Sequence, residues 1–190
     1  RKGKDMDVEA VVAAVLRDRE FYNQSGGGVT FSGGEPFMQK AFLYDLLSAC
    51  KEAGLSTAVE TTLHAVWADI EPCLPLLDHV LFDLKHSDSA AHKEWTGVGL
   101  EGIMGNVDAL FRAQAAPQVR IPVIPGCNTG PDASERFAAI IGGLGHPVEL
   151  LPYHIQGLGH HVTLGREYPG KGIPAGKGQE DGTATCGFLP

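Results

Sequence analysis

Five short runs rich in Val, Ile, Leu and Phe alternate along this chain with segments of helical spacing. The runs cover residues 29–31, 55–61, 79–84, 119–124 and 147–151. Helical patterning fills 7–22, 37–53, 64–76, 89–96, 103–115 and 133–141. Asp7 is placed to cap the first helix, Gly54 to end the second, and Pro72 and Pro75 to break the third. Strand and helical patterning alternate along the chain, which predicts a parallel sheet covered by helices, either barrel-like or doubly wound. Crossovers in such sheets are right-handed, so the C-terminal ends of the strands gather at one rim.

That rim is where the polar residues concentrate. The stretch 26–36 reads Gly-Gly-Gly-Val-Thr-Phe-Ser-Gly-Gly-Glu-Pro. A strand running into Ser32, Gly33, Gly34 and Glu35 before a helix is a strand–loop–helix unit, and ligands of parallel α/β folds sit on such loops. Glycines let main-chain N–H and C=O groups approach a ligand closely. One fixed carboxylate suits a cationic amine better than a phosphate. On its own a glycine pair is only a βα turn. The other strands, however, end in Glu60-Thr61, Asp83 with Lys85, Asn128 and His154, and Arg120 lies within its strand. A purely structural sheet does not need such an edge, whereas a (β/α) barrel active site does.

Composition narrows the remaining classes. The 190 residues predict one domain, and 43% hydrophobic content allows a sizeable core. A net charge of −8 with 15 Lys and Arg argues against a nucleic-acid footprint. No apolar run approaches a membrane span, and no signal-peptide pattern is present. Cys50, Cys73, Cys127 and Cys186 are far apart with no CxxC pair, which fits a reducing cytoplasm and gives no thiolate metal site. His146, His154, His160 and His161 fit no single helix or strand face.

Simpler roles exist for several of these residues. Asp83 and Lys85 share a strand face and could form a surface salt bridge worth about 0–1 kcal/mol. Arg120 on an inward face requires an anionic partner or ligand. Trp67 and Trp95 read as packing residues, and His64, His79, His86 and His92 as solvent-facing or capping groups.

Taken in order, five motifs match a known family. They are Gly-Gly-Val-Thr-Phe-Ser-Gly-Gly-Glu-Pro, Val-Glu-Thr-Thr, Phe-Asp-Leu-Lys-His with Thr96-Gly97, Val-Arg-Ile-Pro-Val-Ile-Pro-Gly-Cys-Asn, and Glu-Leu-Leu-Pro-Tyr-His. From about residue 3 to residue 169 the chain resembles the glycyl radical enzyme activating enzymes, among them those of pyruvate formate-lyase. These are radical S-adenosylmethionine (SAM) proteins. The resemblance implies an α/β fold, a partial (β/α) TIM-like barrel. It implies SAM and a [4Fe–4S] cluster as cofactors, a glycyl radical enzyme such as pyruvate formate-lyase as partner, and a flavodoxin or ferredoxin-type electron donor. The activity it implies is reductive cleavage of SAM to a 5′-deoxyadenosyl radical, which takes a glycine Cα hydrogen from the partner enzyme.

Carried over residue by residue, the resemblance gives Ser32, Gly33, Gly34 and Glu35 the SAM amino group and Lys85 the SAM carboxylate. Arg120 falls to the carboxylate or ribose, and His154 to the ribose or adenine side. Glu60, Thr61 and Asp83 match positions that bind a monovalent cation beside SAM in some relatives; the first of these is commonly Asp there. The family's CxxxCxxC loop and first barrel strand have no counterpart here. The expectation is therefore a core spanning 1–169 of a longer protein, inactive alone, with a loosely ordered Gly-rich tail at 170–190. A second reading is a non-catalytic SAM-binding or partner-binding remnant of that fold. A third is an aldolase-like barrel with Lys85 as a Schiff base.

Overall fold

A computed structural model describes residues 4–146 and 148–153. Five strands occur in these residues: β1 (Gly28–Phe31), β2 (Ser56–Thr61), β3 (His79–Asp83), β4 (Gln118–Val123) and β5 (Val148–Pro152). The helices are α1 (Val8–Val15), α2 (Arg19–Ser25), α3 (Lys40–Glu52), α4 (Trp67–Ile70), α5 (Ser89–Thr96), α6 (Glu101–Arg112) and α7 (Pro131–Leu144). Two compact units result among these residues, one made of 4–83 with Gly99–Gln118, the other of Leu84–Val98 with 119–146 and 148–153. The expected α/β alternation is present strand for strand.

In the first unit β1, β2 and β3 run parallel, with Phe31 opposite Val59 and Thr61 opposite Phe82. Alternation then assigns the faces. Thr57, Val59 and Thr61 of β2 share one face with Val80 and Phe82 of β3, and all five are buried. Glu60 lies on the opposite face with Leu81, and Asp83 follows two residues along. Helix α3 buries Leu43, Leu46, Leu47 and Cys50, which are i, i+3, i+4 and i+7, and it packs on β2. Each such leucine contributes about 1.5–3 kcal/mol relative to exposure.

The local signals act as read. Asp7 caps α1 by accepting the Ala10 N–H at 2.8 Å. Gly54 adopts φ +74° just past α3, and the guanidinium of Arg19 meets the Ala53 carbonyl there. The helical pattern over 64–76 shrinks to the single turn of α4 and a 3-10 segment, Glu71–Leu76, because Pro72 and Pro75 supply no N–H. The pattern starting at 37 begins as a 3-10 turn, Pro36–Gln39, before α3.

In the second unit β4 and β5 are parallel, with Arg120 opposite Glu149. The Leu84 N–H donates to the Arg120 carbonyl at 2.8 Å. Leu84, Val119 and Ile121 are buried, so Lys85 turns to the face that carries Arg120 and Glu149. Helix α5 spans the residues the pattern predicts, with Asp88 as N-cap and Gly97 at φ +88°. Among the described residues no helix is long and apolar enough to cross a membrane.

Candidate functional site

Parallel pairing places the residues after β1 and β2 at one end of the first unit. Ser32, Gly33 and Gly34 are exposed there, and Glu35 is half-buried. A Cβ built on Gly33 or Gly34 meets no atom of the described residues within 4 Å, its chain neighbours aside, so that side of the turn is open space. Gly33 holds φ +138°, a conformation that side chains oppose.

Glu35 points back into the protein. Its Oε1 accepts the Thr61 hydroxyl at 2.7 Å and the Phe37 N–H at 3.4 Å. Its Oε2 accepts the Thr62 N–H at 2.9 Å and the Thr62 hydroxyl at 2.5 Å. A carboxylate has about four acceptor sites, so these four donors occupy it fully. The sequence reading aims this charge at a ligand amine; the geometry uses it to fasten the glycine turn to the end of β2.

The β2 end is itself held in an unusual conformation. Leu63 has φ +55°, uncommon for a leucine, and is fully buried. Its N–H donates to the Thr61 hydroxyl oxygen at 2.9 Å. Asn106 of α6, 8% exposed, donates to the carbonyls of Leu63 and Ala65 at 2.9 and 2.8 Å. A left-handed non-glycine residue kept in place by its neighbours marks a turn whose shape matters. Asn106 is a supporting residue that sequence reasoning missed, since an Asn within a helical pattern carries no local signal.

Glu60, Thr61 and Asp83 do not act as one set of side chains. Glu60 and Asp83 lie on one face of the sheet, while Thr61 faces the other with its hydroxyl engaged by Glu35 and Leu63. Among the described residues no group of three or more His, Cys, Asp and Glu could hold a metal ion. A cavity of about 420 Å³ in this unit lies at the opposite end of the strands, beside Asp78, His79 and Gln114.

In the second unit Lys85 and Arg120 are both half-buried and on one face. His86 and His92, which the sequence reading leaves solvent-facing or capping, are 6% and 4% exposed. His86 accepts the Asp88 N–H at Nδ1, and His92 Nδ1 lies 2.6 Å from the Val98 carbonyl. Both rings brace loops, and His64 and His79 are exposed. Trp95 is 41% exposed, so it is not a core residue. His154 and the tail 170–190 lie outside the described residues, as do the later parts of the expected core 1–169.

Comparison with known proteins identifies the family. Residues 1–103 match the family described as a 4Fe-4S single cluster domain. The chain is 44% identical over 170 residues to the isethionate sulfite-lyase activating enzyme of Nitratidesulfovibrio vulgaris, covering 88% of this chain and 55% of that protein. It is 34% identical to the pyruvate formate-lyase-activating enzyme of Clostridium pasteurianum, covering 91% of this chain and 73% of the relative. A crystallised domain of pyruvate-formate lyase-activating enzyme from Bacteroides vulgatus superposes with a TM-score of 0.62 at 35% identity, over 68% of this chain and 83% of that one. The chain spans a little over half the length of the first curated relatives it matches.

The cluster named in the family description does not fit the described cysteines. Cys50 and Cys73 are buried, Cys127 half-buried, and they sit in separate elements. Burial pushes all three thiols up from their ordinary value, with Asp69 adding to this at Cys73 and Glu94 at Cys127. Cluster ligands are thiolates at short spacing, the reverse of this arrangement. The five motifs, the α/β fold of partial TIM-like barrel type and the relatives agree: the chain belongs to the glycyl radical enzyme activating enzymes, radical SAM proteins that work with S-adenosylmethionine and a [4Fe–4S] cluster.

Proposed function

We propose that this chain is the SAM-binding core of an activating enzyme that installs a radical on a glycine of a pyruvate formate-lyase-like partner. The observation that carries this is the glycine turn at residues 32–34, open on its outer side and fixed on its inner side by Glu35. When bound, SAM would supply the chemistry: one electron would split its sulfonium into methionine and a 5′-deoxyadenosyl radical, which would take the partner's glycine Cα hydrogen. In this reading the carbonyls of Ser32, Gly33 and Gly34 receive the SAM amino group. Glu35 acts through that turn: neutral donors hold its carboxylate, and its negative charge remains close to the amine.

Lys85 receives the SAM carboxylate, with Arg120 on the same face for the carboxylate or ribose. Register also places Glu149 opposite Arg120, a carboxylate able to orient the guanidinium. His154 contributes on the ribose or adenine side. Glu60 and Asp83, sharing a face, supply carboxylates for a monovalent cation, and Thr61 offers its main-chain carbonyl. The electron comes from a flavodoxin or ferredoxin-type donor in the cytoplasm. The misfit of the described cysteines supports two further statements: the chain alone holds no cluster, and by itself it is inactive. The same misfit supports a second reading, a SAM-binding or partner-binding remnant without catalysis.

Calorimetric titration of the protein encoded by the complete gene with SAM tests the main reading. Binding that Gly34→Val abolishes supports it, and unchanged affinity in that variant contradicts it. A CxxxCxxC encoded in frame upstream separates the catalytic reading from the remnant. If this chain alone gave a brown, EPR-active cluster after anaerobic reconstitution, its inactivity would no longer follow.

A further inference from the structure

Lys85 sits two residues beyond the end of β3, one residue past Leu84, whose N–H bonds the Arg120 carbonyl of β4. Beyond that main-chain bond, three buried side chains tie the segment down. Asn128, 4% exposed, donates through Nδ2 to the Lys85 carbonyl at 2.9 Å and to the Pro122 carbonyl at 2.6 Å. Its Oδ1 accepts the Ile124 N–H at 2.7 Å. His86 Nδ1 accepts the Asp88 N–H at 3.0 Å, so the ring carries its proton on Nε2, which lies 3.3 Å from the Cys127 carbonyl. The Ser87 hydroxyl donates to the Ala133 carbonyl at 3.2 Å.

The first of these contacts differs in kind from the others. His86 and Ser87 each tie the segment to a loop or helix by one bond. Asn128 uses both amide hydrogens and its oxygen, and bridges the segment to β4 at two main-chain carbonyls and one N–H. Only an amide does this: an ionised Asp has no hydrogen to donate, and a hydroxyl has one. Asn128 is itself buried and the carbonyls it meets are half-buried, so removing it leaves those acceptors without these donors.

We propose that Asn128 is a positioning residue for Lys85, fixing the main chain from which the ammonium reaches the SAM carboxylate. The inference rests on the reading that Lys85 meets that carboxylate. A long flexible Lys gains affinity only if its base is fixed, because immobilising the side chain and its backbone opposes binding.

A double-mutant cycle on SAM affinity tests it, using the cluster-loaded protein from the complete gene, with a thermal melt of each variant. Lys85→Ala is expected to weaken SAM binding by about tenfold or more, the scale of a lost charge-assisted contact. Asn128→Ala is expected to weaken it by about threefold to tenfold, and to add nothing in the Lys85→Ala background. An equal loss in both backgrounds overturns the inference, because a role in folding alone is indifferent to Lys85. If Asn128→Ala does not fold, Asn128→Asp carries the same cycle, since it keeps the shape and the acceptor for Ile124 and loses both donations. Unchanged SAM affinity in Lys85→Ala removes the Lys85 assignment and this inference with it. A loss in Lys85→Ala with parental affinity in the folded Asn128 variants overturns this inference alone.

Discussion

Strand β2 is held at both ends by a carboxylate, and the two ends differ in an instructive way. At its start, Asp78 Oδ2 accepts the Thr57 N–H at 2.8 Å, and the Thr57 hydroxyl lies 3.3 Å away. At its finish, Glu35 accepts the Thr61 hydroxyl together with the N–H and hydroxyl of Thr62. The bonding chemistry is nearly the same. At Asp78, however, Lys51 approaches both carboxylate oxygens at 2.9 Å, so the charge is paired within the chain. At Glu35 the four donors are neutral, and beyond them lie glycines with open space. A carboxylate clamp therefore does not by itself identify a site. What sets Glu35 apart is the open turn it supports at the C-terminal end of parallel strands, with only neutral donors on its carboxylate among the described residues, and the proposed SAM reading rests on that difference.

The largest effect expected on breaking this comparison is from Glu35→Ala. It leaves the half-buried Thr62 N–H and the buried Thr61 hydroxyl without acceptors, costing roughly 3 kcal/mol on the scale of bonds to a charged group. Glu35→Gln should cost less, because its carbonyl oxygen still takes one N–H. Denaturant titration of both variants checks the order, and equal stability of Glu35→Ala and the parent would mean the clamp is not made in solution.

The other end should respond more weakly. Asp78→Ala orphans the Thr57 N–H, for about 1–2 kcal/mol, but part of the Lys51 contribution is already screened at a side chain 37% exposed. Acid sharpens the contrast. Burial pushes the Asp78 carboxyl upward, but the bonds from Lys51 and Thr57 outweigh this, and its pKa lies below the ordinary value. A depressed carboxyl contributes stability above the unfolded pKa of about 3.9 and loses it as pH falls through the lower folded value. Thermal melts between pH 6 and 3 should therefore show a shallower acid decline for Asp78→Asn than for the parent. Parallel declines would contradict the pairing.

The elements themselves were legible, because each rests on local rules: Asp7 as a cap, Gly54 in a left-handed end, proline breaks at 72 and 75. The strand ends were legible too, because they can be counted along the chain. What each one bonds was not. Glu35 meets Thr61 and Thr62 across more than 25 residues, and Asn128 meets Lys85 across 43. Nothing in the local sequence distinguishes a carboxylate that faces a ligand from one that faces its own fold. The same holds for His86 and His92, whose burial depends on helices and loops packed around them rather than on their neighbours in sequence.

The smallest expected effect on stability decides most about function. Gly34 has no positive φ, and a Cβ there meets nothing among the described residues beyond its chain neighbours. Gly34→Ala should thus change folding stability by no more than about 0.5 kcal/mol. Any loss of SAM affinity then has to come from the ligand occupying the space that the methyl group takes. Gly33→Ala cannot give so clean an answer, since φ +138° strains any side chain whether or not a ligand is present. Paired melts and SAM titrations of Gly34→Ala separate the two contributions. Parental stability with weakened SAM binding places the ligand against the turn, on the side away from Glu35. Parental stability with parental affinity would leave both ends of β2 as structural clamps of the same kind, and the comparison between them would lose its functional meaning.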